Sequence, residues 1–130
     1  MKTMFLLFTF FFFASSCGEE KQPEQQENSI YGTWQLTERF EGGSLIPRQS
    51  VENGEIIIFS KNNSYSGSSF QCDGTYNINN EIIEIMIPCT TMDTIKYAYF
   101  LENSDLKLMP YPSTCDEGCY DKYKKISSEK

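Results

Sequence analysis

The segment that decides the fold is residues 74–87, GTYNINNEIIEIMI, in which two alternating runs flank a pair of asparagines. In the second run, isoleucine recurs at every second position from Ile83, opposed to Glu84 and Met86. A period of two residues is typical of a strand with one buried face. Asparagine tolerates a positive φ, so the pair at 79–80 predicts a two-residue hairpin turn. The segment therefore indicates an antiparallel hairpin.

Similar alternation continues on both sides of this hairpin, and no segment carries the 3.6-residue apolar stripe of a helix. Gly67 predicts a bulge or bend, and Pro110 is expected to end a strand. Strands are predicted over residues 32–40, 55–59, 64–70, 74–78, 81–87, 94–101, 106–108 and 119–126. About eight short strands joined mostly by tight turns favour an all-β fold, a small antiparallel up-and-down β-barrel. An immunoglobulin-like sandwich is the alternative, although it would need longer connections.

Composition limits what this domain can do. The chain has 130 residues, 18 acidic against 11 basic side chains, a net charge of −7 and no histidine. Nucleic acid is not an expected partner, because phosphate binding needs clustered Lys and Arg. Without histidine, a Ser-His-Asp hydrolase, a His-ligated zinc site and an axial-His haem are excluded. We expect no enzyme activity and no cofactor.

Residues 1–16 have the pattern of an export signal. Lys2 precedes an 11-residue run, 4–14, in which only Thr9 is polar. This run is too short to span a bilayer, which takes about 20 residues. Small residues then lead into Cys17, with Ala14 where leucine is usual. The arrangement resembles a bacterial lipobox, in which the cysteine is acylated and becomes the first mature residue. A simple secretory signal is the alternative.

The lipobox resemblance implies three regions: a lipoprotein signal peptide (1–16), an acylated cysteine with a disordered tether (17–29) and a barrel domain (30–130). Multiple acyl chains of the palmitate type would hold Cys17 firmly in a bilayer. Residues 18–29, GEEKQPEQQENS, lack large apolar side chains, which is typical of a solvated tether. The expected location is the bacterial outer membrane. Glu19-Glu20 resembles the acidic export signals of surface lipoproteins in Bacteroidetes-type bacteria, with the periplasmic face as the alternative.

The other four cysteines predict two disulfides, because an even number in an exported chain favours pairing. With the turn at 79–80, Cys72 would face position 87, two residues out of register with Cys89. A small bulge near Gly74 would then be needed to join them. Cys115 and Cys119 would close a short loop. A four-thiolate zinc site is the alternative, but its paired CxxC knuckles are missing, so no metal is expected.

Residues 32–34, GTW, are similar to the G-x-W signature of lipocalins. The hairpin at 59–65, the strand at 74–78 and the Leu-x-Leu at 106–108 extend the likeness over 30–126. Together they resemble the small bacterial lipocalin-like lipoproteins of the calycin type. This resemblance implies that Gly32 and Trp34 form the barrel floor. It also implies a basic residue of the last strand over the tryptophan, here Lys124 or Lys125 instead of arginine.

The same resemblance implies a monomer that binds a small apolar or amphipathic ligand non-covalently in the barrel mouth, with residues 41–53 as the loop over it. Tyrosines suit such a site, since each offers apolar area and a hydroxyl. The candidates are Tyr65, Tyr76, Tyr97 and Tyr99. Aromatic side chains also fill small barrels, so a ligand-free envelope structural or protein-interaction module is the alternative. Acidic residues near turns, Asp121 among them, are expected on the solvated surface.

Overall fold

A computed structural model describes residues 29–43, 45–92 and 94–128 of the chain. These residues form nine antiparallel strands. The strands are β1 Gly32–Phe40, β2 Gln49–Ser50, β3 Ile56–Phe59, β4 Ser64–Gly67, β5 Gly74–Asn79, β6 Ile82–Met86, β7 Ile95–Glu102, β8 Asp105–Pro110 and β9 Tyr120–Ser127.

The sheet closes on itself. From β3 to β9 each strand pairs with its neighbour in the chain, while β1 pairs with β3 on one side and with β9 on the other. The short strand β2 lies beside Glu38 and Arg39, beyond the end of the β1–β3 pairing. Eight strands therefore form a closed antiparallel barrel and β2 is an extra strand. The predicted all-β barrel of about eight strands is confirmed.

The barrel interior is occupied by apolar and aromatic side chains at alternate strand positions. Trp34 and Leu36 are buried along β1, as the alternation predicted, and so are Ile83 and Ile85 along β6. The remaining buried apolar residues are Ile30, Ile57, Phe59, Tyr65, Tyr76, Ile87, Leu106, Leu108 and Tyr123. One face of the sheet thus supplies the core and the other meets solvent.

The end of the barrel at which β1 begins, here called the floor, is organised around Trp34. The indole Nε1 donates a hydrogen bond to the Ile30 carbonyl at 2.7 Å, so its polar atom is satisfied. The Lys125 ammonium lies 5.0 Å from the ring centroid, within cation–π range. Lys125 rather than Lys124 occupies this place because β9 pairs Lys125 with Trp34 and Lys124 with Gln35.

Gly32 is required by its surroundings at the floor. Its φ of 131° belongs to a region that side-chain-bearing residues rarely adopt. A Cβ at this position would also collide with the backbone oxygen of Ser127 and the side chain of Lys125. The glycine therefore lets the first and last strands approach closely beside Trp34.

The β5–β6 hairpin differs from the prediction by one residue at its turn. Asn79 pairs with Ile82, so the turn is Asn80-Glu81, and Asn80 takes the positive φ of 57°. The predicted turn at 79–80 was wrong because Asn79 stays in the strand. The corrected register, extended past Gly74, places Cys72 directly opposite Cys89, and no bulge is needed.

Both predicted disulfides are present. Cys72 is bonded to Cys89 across the β5–β6 hairpin, with a Cα–Cα distance of 6.1 Å. Cys115 is bonded to Cys119, four positions along the chain, within the connection between β8 and β9. The predicted pairing is confirmed, although the register argument that led to it placed the first two cysteines out of alignment.

Two further features differ from expectation, and one strand end agrees with it. The strand predicted over 64–70 ends at Gly67, where the Phe70 N–H donates to the Gly67 carbonyl and turns the chain. β8 ends at Pro110, as expected, and the Tyr111 N–H then donates to the Lys96 carbonyl at 3.0 Å. The predicted loop 41–53 contains the short strand β2.

The predicted signal peptide (1–16), Cys17 and the predicted tether up to residue 28 lie outside the described residues. No helix long and apolar enough to cross a membrane is found in 29–43, 45–92 and 94–128.

Candidate functional site

The barrel end at which β1 finishes and β9 begins, here called the mouth, carries polar side chains on the inner face of the sheet. Tyr123 faces the buried Leu106, and two residues earlier Asp121 faces the buried Leu108, so both point inward. Arg39 pairs with Asp121. We call the inward polar set the mouth cluster: Arg39, Glu55, Tyr65, Tyr97, Asp121 and Tyr123.

Arg39 and Asp121 form a two-bond ion pair between β1 and β9. Arg39 Nε donates to Asp121 Oδ1 at 2.7 Å, and Nη2 donates to Oδ2 at 3.1 Å. The hydrogen bond to Asp121 raises the pKa of Arg39. Asp121, expected on the solvated surface, keeps 28% of its side chain exposed, and strand alternation puts it in phase with Tyr123. The planar guanidinium matches the carboxylate and leaves the pair electrically neutral.

Glu55 is held between the last strand and the turn that follows β4. The Tyr123 hydroxyl donates to Glu55 Oε1 at 2.9 Å, and the Ser69 hydroxyl donates to Oε2. Glu55 precedes the buried Ile57 by two positions, which places it on the inner face of the sheet. A carboxylate has about four acceptor sites, so Glu55 can accept further hydrogen bonds.

Three tyrosines of the mouth cluster are held in their neutral form. Burial raises the pKa of Tyr65, Tyr97 and Tyr123, and nearby negative charge raises it further. Glu55 is the main negative charge that raises the pKa of Tyr65 and of Tyr123. For Tyr97 the main negative charge is Asp121, followed by Glu55. The three hydroxyls therefore keep their protons over a wide pH range.

These raised pKa values predict a loss of stability in alkali. Below the ordinary tyrosine pKa of 10.0, both folded and unfolded chains keep the proton. Above it, the unfolded chain releases protons that the folded chain retains, so the free energy of unfolding falls as pH rises. Each such tyrosine contributes up to about 1.4 kcal/mol per pH unit.

Urea titrations between about pH 9 and pH 11 would measure this slope. The double variant Tyr65→Phe/Tyr123→Phe should show a shallower slope than the unchanged chain, whatever its stability at neutral pH. Tyr111→Phe, at an exposed position, is the matched control and should keep the full slope. An equal slope in the double variant would contradict the assignment.

A pocket of about 260 Å³ opens at the mouth. Arg39, Tyr97 and Asp121 contribute polar groups to its wall, and Leu108 and Pro110 contribute apolar surface. The rest of the lining is Phe40, Glu41, Cys115, Cys119 and Tyr120. The pocket thus has polar and apolar parts within one small volume.

The Cys115–Cys119 disulfide forms part of this wall. Gly42, with a φ of 84°, lies so close to Cys115 that a Cβ on the glycine would come within 3.2 Å of the cysteine Cβ. The start of loop 41–53 therefore contacts the loop closed by the Cys115–Cys119 disulfide, beside the pocket. The rest of loop 41–53 includes Leu45, which is 95% exposed.

The four tyrosines proposed from the sequence have different environments. Tyr65 and Tyr76 are buried against Phe59, at centroid distances of 5.2 Å and 5.0 Å. The Tyr76 hydroxyl donates to the Ser60 carbonyl at 2.8 Å. Tyr97 lines the mouth pocket, while Tyr99 is half-buried against the core. Only Tyr65 and Tyr97 belong to the mouth cluster.

The charged members of the mouth cluster were not identified from the sequence. Glu55 is in phase with Ile57 and Phe59, and Asp121 is in phase with Tyr123. This alternation was the pattern that could have identified both residues from the sequence. A charged residue near the end of a strand, on its apolar face, is a candidate for the rim of a barrel.

No protein-family model matches the chain, and no curated protein matches it either. In the part of the chain that the structure describes, no group of three or more His, Cys, Asp or Glu side chains is arranged to hold a metal ion. The mouth cluster brings hydrogen-bond donors, acceptors and charges of both signs together at one end of the barrel.

Proposed function

We propose that the protein is a lipid-anchored, lipocalin-like barrel that binds a small amphipathic ligand non-covalently at its mouth. The observation that carries this proposal is the pocket of about 260 Å³ with the Arg39–Asp121 pair and Tyr97 beside Leu108 and Pro110. Ligand sites are mostly apolar with a few placed polar groups, and they usually measure about 300–1,000 Å³. The ligand would therefore be small, and the filled interior keeps it at the mouth.

The anchoring part of the proposal rests on Cys17 in its lipobox-like setting. The described chain begins at Ser29, whose carbonyl accepts a hydrogen bond from Lys125 Nζ at 2.8 Å, beside Trp34. A tether from an acylated Cys17 would thus join the barrel at its floor. The mouth would be the end farther from this attachment point, open to solutes. The outer membrane is the proposed location, and no enzymatic activity is proposed.

Native mass spectrometry of the full chain would test both parts. The chain would be purified in detergent from membranes of the bacterium that makes it. We expect the mass of a protein cleaved before Cys17 and carrying acyl groups, with an additional small mass that leaves on denaturation. The Cys17→Ser chain should remain an unacylated precursor. Normal acylation of that variant would end the lipoprotein proposal.

A second candidate function, a ligand-free interaction or envelope-structural module, is favoured by the filled interior. In the described part of the chain, thirteen apolar side chains, from Ile30 to Tyr123, are buried. A bare polypeptide mass in the same experiment, with no small molecule released on denaturation, would support this candidate.

A further inference from the structure

We propose that the mouth pocket selects a small organic cation with an apolar group, such as an arylalkylamine. This inference rests on the proposed function and names the class of ligand. The ammonium group would lie near Tyr97, Asp121 and Glu41, and the apolar group would pack against Leu108 and Pro110.

The charge balance of the mouth is negative. Asp121 and Arg39 compensate each other through two hydrogen bonds, at 2.7 Å and 3.1 Å. Glu41 also lines the pocket, and Glu55 lies on the inner face, bonded to neutral hydroxyl donors. Two carboxylates, Asp121 and Glu41, therefore line the pocket with one guanidinium, so the lining carries one excess negative charge. Glu55 adds negative charge from the inner face, outside the lining. A cation gains from this imbalance, whereas an anion would be repelled by it.

Aromatic and hydroxyl groups complete the recognition. Tyr97 lines the pocket, and a tyrosine ring face attracts a cation within about 6 Å of its centroid. Glu41 also lines the pocket, and its carboxylate oxygens can accept from an ammonium N–H. These contacts suit a charged nitrogen better than a neutral hydroxyl of the same size.

An organic cation fits better than a metal ion. Hard metal ions need several oxygen ligands converging on one point. Among the described residues no three acidic side chains converge in this way. In contrast, the apolar part of the pocket wall, Leu108 and Pro110, would have no role with a bare ion. The combination indicates a ligand with one charge and one apolar group.

Three probes of similar shape but different charge would test this proposal: 2-phenylethylammonium, 2-phenylethanol and phenylacetate. Their binding to the full acylated chain in detergent would be measured by calorimetry at low ionic strength, with empty micelles as the blank. We expect the ammonium to bind about tenfold more tightly than the alcohol, and phenylacetate to bind most weakly. Raising the salt concentration should weaken binding of the ammonium and leave that of the alcohol unchanged.

Glu41→Gln is the decisive variant, because Glu41 lines the pocket and glutamine keeps the size of the side chain while removing its charge. We expect it to weaken ammonium binding by about tenfold without changing alcohol binding. Glu84→Gln is the matched control. Glu84 forms a solvent-exposed ion pair in which Lys96 Nζ lies 2.6 Å from Glu84 Oε1. Its replacement removes the same charge and should leave the affinities for all three probes unchanged.

The outcomes separate this proposal from the proposed function. Equal binding of the ammonium and the alcohol, or tightest binding of phenylacetate, would overturn the cation class while the small-ligand site remains. Binding of none of the three probes would overturn both. The salt dependence of ammonium binding to the unchanged chain tests the cation class even if Glu41→Gln does not fold.

Discussion

Replacing Trp34 with alanine is expected to lower the free energy of unfolding by about 3–5 kcal/mol, the cost typical of a buried tryptophan. The side chain is 1% exposed and lies in the core at the floor. Its removal would leave a cavity, deprive the Ile30 carbonyl of the Nε1 donor and take the ring away from Lys125. These losses act at one place, where β1 meets the last strand.

Urea unfolding of the full chain, followed by circular dichroism, would measure the change in midpoint. Leu45→Ala is the control, because Leu45 is 95% exposed and a surface truncation should change stability by no more than about 0.5 kcal/mol. An unchanged midpoint for Trp34→Ala would show that the floor does not depend on this side chain.

Removing the Cys72–Cys89 disulfide is expected to have the second largest effect. The two cysteines are 17 positions apart, and a cross-link closing a loop of about this length stabilises a fold by about 3 kcal/mol in the chain-entropy model. The double variant Cys72→Ala/Cys89→Ala should therefore unfold at a clearly lower urea concentration than the unchanged chain.

Cys115→Ala/Cys119→Ala provides the comparison, because its disulfide spans only four positions. The same relation gives about 2 kcal/mol for so short a loop. Alkylation without reductant would verify that each variant keeps the other disulfide. A larger loss from the shorter loop would contradict the loop-length argument and would indicate that the disulfide at the mouth has a further structural role.

The barrel was predictable because the sequence patterns that indicate it are short-range. Alternating side chains such as Ile83 and Ile85 indicate which face of a strand is buried, and short turns indicate that neighbouring strands in the chain pair with each other. The position of the hairpin turn was not predictable, since Asn79 and Asn80 both tolerate a positive φ. The position of the turn depends on how the two strands pair, and the observed turn at 80–81 changes the register of every facing pair in the hairpin.

The candidate site was less predictable because its partners are distant in the sequence. Arg39 and Asp121 are 82 positions apart, and Glu55 and Tyr123 are 68 apart. Single positions such as Asp121 are usually solvated, and only strand closure brings its partner across from it. Likewise, the sequence made Tyr65 a candidate for a ligand site but left open whether it would line a cavity or fill the barrel.

The closure between β1 and β9 has a consequence for the order in which the protein can be completed. β1 is the first strand of the barrel and β9 is the last, so their pairing joins residues separated by most of the chain. Such pairings are slow, because the loop must close before its contacts stabilise it. A chain emerging amino-end first from the ribosome cannot close the ring until residue 127 has emerged. A copy truncated before β9 would leave unpaired edges on both β1 and β8, which are templates for aggregation.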